Sequence, residues 1–342
     1  VARRRARRFK VAVVGATGVV GRELVALLAE RGFPLEELRL LASERSVGEA
    51  LEFGDEERRV ERLEGRALAG LDLALLCAGE AVSRAWAPAA LAAGALVVDT
   101  SAAFRLAPEV PLVAPELNPE ALEDLGPGRL VACPDGAALA ASLALAPLAR
   151  AAGLRRVVVV ACLSASHAGR GGLAELDQQT RDLFNFRPAR VERFPHQVAF
   201  NCLPRCGPFE ADGATALERG LADEVRRLLE LPGLPLGVSM VQVPVFSAHG
   251  LALHLEPGRP LSPEEARELL GRAPGLRLVD SPAEERYPLA TEAVGQDEVL
   301  VGRVRADAGG LALWATVDNA RRGAALNVLQ IAERLARGPL AR

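Results

Sequence analysis

The sequence predicts an α/β protein: a doubly wound parallel sheet, followed by a second, α+β domain on a mixed sheet. Three observations carry that prediction. An apolar run near the start breaks into a glycine-rich turn and then an amphipathic segment. Strand-like and helix-like segments alternate from there to about residue 150. From Arg156 the strand-like segments lengthen, alternate in polarity, and are separated by fewer helices.

The glycine-rich stretch is Lys10–Gly21, KVAVVGATGVVG. Val11–Val14 reads as a buried strand, and Glu23–Arg31 sets Leu24, Leu27 and Leu28 on one helical face. Strand, turn and helix start in that order aim backbone N–H groups and a helix N-terminus at an anion. Gly15 lets the chain turn, Gly18 lets a pyrophosphate approach, and Gly21 lets helix and strand pack closely. The glycine spacing differs from that of the commonest dinucleotide fingerprint, but the flanking strand and helix supply the context that a bare match lacks. The stretch therefore predicts a Rossmann-type NAD(P) site with Gly15, Thr17, Gly18, Val19, Val20 and Gly21 around the phosphates. The alternative is a purely structural tight turn.

Further strands are expected at Leu38–Ala42, Leu71–Cys77, Ala95–Asp99 and Leu130–Cys133, with helices at Val82–Ala93 and Ala138–Ala151. The second domain offers strands at Val157–Leu163, Ser239–Phe246, Leu251–Leu255, Val299–Val304 and Leu311–Val317. Gly213–Leu229 reads as a helix capped by Thr215 with Glu218 at its third position. A closing helix, capped by Asp318 or Asn319, runs to about Leu335. The expected domains are 9–133, completed by 318–338, and 134–317. The basic segment 1–8, VARRRARR, reads as a disordered leader, the alternative being a nucleic-acid-binding arm.

The 342 residues carry a net charge of −3, which gives no overall bias toward nucleic acid. The apolar run 137–149 is interrupted by Pro147 and falls short of membrane length, so neither a membrane span nor a signal peptide is expected and the chain reads as cytoplasmic. Five scattered cysteines, Cys77, Cys133, Cys162, Cys202 and Cys206, read as reduced buried thiols. His249 and His254 lie five apart on one strand and face opposite sides, and no metal site is expected. After the second strand, where an NAD site wants a carboxylate, the chain offers Ser43, Arg45 and Ser46. A guanidinium fork matches phosphate oxygens, which favours NADP over NAD; Glu44 argues the other way.

The strings GATGVVG (15–21), LASERSVG (41–48), VVDTSAAFR (97–105), VPLVAPELN (110–118), VPVFSAHG (243–250) and DNARRGAALNVLQIAE (318–333) resemble the aspartate-semialdehyde dehydrogenase family from Lys10 to Ala336. The resemblance implies a dinucleotide domain completed by the C-terminal helix, a dimerising catalytic domain and a homodimer. It also implies NADP(H), with Asn319 and Asn327 joining the cofactor-binding residues. The implied reaction is thiol-based: a cysteine attacks an aldehyde, hydride passes to NADP, and phosphate releases an acyl phosphate.

The family's nucleophile sits in a Pro-Asn-Cys turn at a helix start, where the dipole lowers a thiol pKa. The matching turn here is Cys133-Pro134-Asp135-Gly136, and the nucleophile position holds Gly136. The base histidine matches His249 and the phosphate-binding arginine matches Arg105. The substrate-carboxylate arginine is replaced by Gln242, an orienting glutamine by Leu163, and a phosphate-binding lysine by Gly220, while the glutamate before it survives as Glu218. ACLSASHAGRGGLAEL (161–176) and the missing thiol resemble the Usg-type paralogue branch.

Three readings follow. One is a silent family member that binds NADP(H), dimerises and serves a small-molecule ligand or an unknown protein partner. A second is an NADP-dependent oxidoreductase of altered chemistry, acting on aspartate semialdehyde or a related small aldehyde or acyl phosphate in amino-acid biosynthesis, with His249 as acid/base and Arg105 as anion clamp. The third is ordinary dehydrogenation through a displaced cysteine.

Overall fold

A computed structural model describes residues 7–123, 125 and 129–340, and these divide into two compact units. One takes the described residues up to Asp135 together with those from Ala324 onward; the other is Gly136–Gly323. Most of the basic leader, residues 1–6, lies outside the described residues. Arg7, expected within it, instead donates to Asp72 Oδ1 at 2.9 Å and to the Leu340 carbonyl.

The first unit opens with β1 (Phe9–Val14), α1 (Val19–Glu30) and β2 (Leu35–Ala42). It continues with β3 (Ala50–Phe53), β4 (Glu56–Arg62), β5 (Leu73–Leu76), α2 (Glu80–Ala92), β6 (Leu96–Asp99) and β7 (Leu130–Ala132). The strand order is β3-β4-β2-β1-β5-β6-β7. β1 is flanked by parallel β2 on one side and parallel β5 on the other, so the chain winds outward in both directions from its first strand. Only the β3–β4 edge hairpin is antiparallel. β1 and β5 are almost wholly buried, as a parallel sheet covered on both faces requires. α1 begins four residues before the expected Glu23, directly on the glycine turn.

The second unit runs α3 (Gly136–Ala152), β8 (Leu154–Leu163), α4 (Gly169–Phe184), α5 (Ala216–Leu228), β9 (Leu236–Gln242) and β10 (His249–Pro257). After α6 (Pro263–Arg272) come β11 (Leu276–Leu278), α7 (Ala290–Ala293), β12 (Val299–Asp307) and β13 (Gly310–Val317). Its sheet has the order β11-β12-β13-β10-β8-β9 and is mixed: β8–β9 and β11–β12 are parallel, the other neighbours antiparallel. β9 ends at Gln242, not Phe246, because the following Pro244 has no N–H to continue a ladder. α5 carries the expected capping box, Thr215 with Glu218.

A π-helical turn, Arg321–Ala325, then leads into α8 (Leu326–Arg337). The closing helix starts later than expected: its N-cap is Ala325, with no side-chain cap, so neither Asp318 nor Asn319 caps it. Asp318 Oδ1 accepts the N–H groups of Ala320 and Arg321 at the entry to the π-helical turn. α8 returns to the first unit, where Leu326, Leu329, Ile331 and Leu335 join Val11, Val13, Leu24 and Leu28 in one apolar core. Each such side chain contributes about 2 kcal/mol of burial. No helix among the described residues is long and apolar enough to cross a membrane.

Candidate functional site

The glycine turn is built by backbone contacts. Gly15 sits at φ +82°, and a Cβ there would lie 2.7 Å from the Cys77 carbonyl oxygen. A Cβ on Gly21 would run into the Gly15 carbonyl and stand 2.8 Å from Ala16 Cα, so α1 crosses β1 at a distance only glycine permits. Gly18 is the α1 N-cap, in extended conformation, and its own N–H goes back to the Gly15 carbonyl at 3.0 Å. Val19 and Val20 then head the helix, where first-turn N–H groups have no intrahelical acceptor.

Next to this turn, Thr17 Oγ1 donates to Ser46 Oγ at 3.3 Å. That contact joins the turn to the short 3₁₀ segment Glu44–Ser46, capped by Ser43. Arg45 is exposed there. Glu44 is turned to Arg62 at 3.6 Å, so the carboxylate expected to offset Arg45 has another partner.

At the ends of β6 and β7, buried Asp99 accepts from Ser83 Oγ at 2.5 Å and Ser101 Oγ at 2.7 Å. Arg105 is 9% exposed and held on two carbonyls, Cys133 at 3.0 Å and Thr100 at 2.5 Å, with Asp135 Oδ2 3.7 Å from its Nη1. Where the family turn has a neutral asparagine, this chain thus sets a carboxylate beside the arginine. Asn327, on α8, is fully buried and donates to the Val113 carbonyl at 3.0 Å.

In the second unit, Gly136 is the first residue of the 17-residue α3. A Cβ there would stand 3.3 Å from Gly323 Cα and 3.6 Å from Asn319 Cα. Asn319 Oδ1 accepts from Ser166 Oγ at 2.8 Å, and more loosely from Ser164 Oγ and the Ala248 N–H at 3.3 Å each. His249, 1% exposed, opens β10; its Nδ1 faces the Ser164 N–H at 3.2 Å and Ser164 Oγ at 3.0 Å. A backbone N–H can only donate, so in the neutral ring Nδ1 is the acceptor and Nε2 carries the proton. His167 packs beside it, ring centroids 5.8 Å apart.

Leu163 and Gln242 are register partners at the ends of β8 and β9. Gln242 Nε2 donates to the Leu163 carbonyl at 2.8 Å, so this buried amide braces the strand ends. Both oxygens of Glu218 are engaged: Oε2 accepts the Thr215 N–H at 2.8 Å in the α5 capping box, and Oε1 accepts the Met240 N–H of β9 at 3.0 Å, so Glu218 caps its helix and ties it to the sheet. Ser164, Ser166 and His167 were not singled out from the sequence, although they sit where His249 and Asn319 converge.

Four of the five thiols are poorly suited to ionise, and Cys202, expected to be buried, is exposed. Burial pushes the pKa of Cys133 up to about 12. Cys206 is likewise raised to about 12, chiefly by burial with Glu218 adding to it. Burial raises Cys77 and Cys162 as well. Leu163 is buried on one face of β8, while its neighbour Cys162 lines a cavity of about 630 Å³ on the other, with Trp314 and Tyr287.

Comparison with known proteins agrees with this layout. Residues 10–125 match the semialdehyde dehydrogenase NAD-binding domain, and 145–322 the semialdehyde dehydrogenase dimerisation domain. The aspartate-semialdehyde dehydrogenase of Aquifex aeolicus is 41% identical over 332 residues, covering 96% of this chain and 98% of that one. The USG-1 protein homolog of Azotobacter vinelandii is 42% identical, covering 95% and 97%. The crystal structure of aspartate semialdehyde dehydrogenase II from Vibrio cholerae superposes with a TM-score of 0.93 at 38% identity, over 97% of this chain and 99% of that one. With two domain models end to end and relatives of this similarity along nearly its whole length, the chain belongs to the aspartate-semialdehyde dehydrogenase family.

Proposed function

We propose that this protein is a Usg-type member of the family that binds NADP(H), forms a homodimer and does not run the thiol-dependent reaction. One observation carries the reading: the first residue of α3, where the family motif has its cysteine, is Gly136, and Gly323 closes on it at 3.3 Å from the Cβ position. None of the buried cysteines takes over, because burial holds their thiols protonated. The dimerisation-domain match supports the homodimer.

The glycine turn fits a dinucleotide, since the space at Gly18 and the N–H groups of Val19 and Val20 lie at a helix N-terminus. A bound nicotinamide would supply hydride transfer. Ser43, Arg45 and Ser46 supply the chemistry for a 2′-phosphate. Arg45→Ala is expected to weaken NADP about tenfold, the worth of one charge-assisted contact, and NAD far less. Equal losses in a fluorescence titration would remove Arg45 from that role.

A second reading is favoured by the His249 tautomer. With Nδ1 accepting from Ser164, Nε2 presents a donor, as an acid protonating a carbonyl oxygen during direct reduction must. Two assays separate the readings. Protein incubated with aspartate semialdehyde, phosphate and NADP is expected to bind NADP and yield no reduced nicotinamide by absorbance; turnover abolished by Cys133→Ser or Cys162→Ser would overturn the proposal. With NADPH and the aldehyde alone, consumption of NADPH that is insensitive to both substitutions and lost in His249→Ala would establish the second reading, the hydride coming from NADPH and the proton from His249.

A further inference from the structure

We infer that the second unit holds a pocket for a small oxyanion, a carboxylate or a phosphate, gripped by Arg193 and Arg205. A cavity of about 390 Å³ is lined by both arginines, His167, Cys206 and buried Gln242, and no acidic side chain lines it. That volume suits a small metabolite. Among the described residues neither guanidinium pairs with a carboxylate.

Both arginines are positioned in advance. Arg205 donates Nε to the Gly207 carbonyl at 2.7 Å and stacks over the Phe209 ring at 5.2 Å, leaving its Nη groups for a ligand. Arg193 lies against the first turn of α4: a Cβ on Gly171 would come within 2.6 Å of its Nε. The segment carrying Arg193 is tied to α4 by two buried side chains. Glu175 accepts the N–H groups of Glu192 and Arg193 at 3.3 and 2.5 Å. Gln179 Oε1 accepts those of Val198 and Ala199 at 2.9 and 3.1 Å. Ala168, the α4 N-cap, also lines the cavity and brings the positive end of the helix dipole to it.

His167 lines the pocket and packs against His249, so the inference deepens the proposed function by naming the ligand class for that site. Where the family motif has an arginine at 242, the positive charge here comes from Arg193 and Arg205.

The test is calorimetric titration of the purified protein with succinate and, separately, with inorganic phosphate. Binding of at least one is expected, weakened about tenfold by Arg193→Gln and by Arg205→Gln, and lost in the double variant. The tighter anion identifies a carboxylate or a phosphate ligand. Arg193 is exposed, so its substitution leaves the fold intact, and Arg205→Lys should retain part of the affinity. Binding of neither anion, or undiminished binding in the double variant, would overturn the inference. Titration is blind to turnover, so thiol-dependent activity would sink the proposed function and leave this pocket standing.

Discussion

Gly18→Val is expected to abolish NADP binding while leaving the protein folded, and Gly21→Ala to damage both. The difference lies in what each added carbon meets. At position 18 it meets the Gly15 carbonyl oxygen at 3.2 Å and the Cys77 carbonyl oxygen at an ordinary 3.9 Å, and the backbone is already in a conformation that valine adopts. The branched side chain would fill the space a pyrophosphate needs against the Val19 and Val20 N–H groups. Losing two charge-assisted hydrogen bonds of about 1.5–3 kcal/mol each weakens binding about 100-fold or more. At position 21 the carbon meets backbone on two sides, Gly15 and Ala16, and neither can rotate away. Prising α1 from β1 would cost about 3 kcal/mol, read as a lowered urea midpoint, and would spoil the turn as well. Unaltered NADP affinity in Gly18→Val would take the phosphates away from this turn.

The contrast between these glycines marks what can be read from sequence. The turn was legible because strand, glycines and helix are contiguous, and every contact that matters lies within about seven residues or one strand over. The same holds for the Thr215–Glu218 cap, whose two partners are three residues apart. The expected helix start at Glu23 was late because Val19 and Val20 look like strand residues by propensity, and only the packing of α1 on the sheet overrides that. The His249 cluster was largely hidden. Ser164, Asn319 and His249 come from segments 70 to 155 residues apart, joined at the β8–β10 register and the loop after β13. Nothing near Ser164 announces an imidazole 85 residues later. Likewise Asp135 stands out only when it is found 3.7 Å from Arg105.

Gly136→Cys is expected to create the most reactive thiol in the protein. The position is buried like Cys133, but it heads a 17-residue helix, so the first-turn N–H groups and the dipole stabilise a thiolate against the kind of burial that pushes Cys133 up to about 12. The added Cβ must displace Gly323 by a few tenths of an ångström, at about 1 kcal/mol, which leaves the fold intact. In a Cys202→Ser background, which removes the exposed native thiol, iodoacetamide at neutral pH should modify position 136 at least about tenfold faster than any remaining cysteine. A thiol alone restores only the attack. Under the proposed function Gln242 stands where the resemblance places a substrate-carboxylate arginine, and Arg105 has Asp135 beside it. Adding Gln242→Arg and Asp135→Asn should therefore raise phosphate-dependent reduction of NADP in steps of about tenfold, each worth one charge-assisted contact. If position 136 labels rapidly and the triple variant remains silent, the lost activity does not reside in this turn. Turnover that grows stepwise would mean the scaffold kept its geometry and lost its chemistry one side chain at a time.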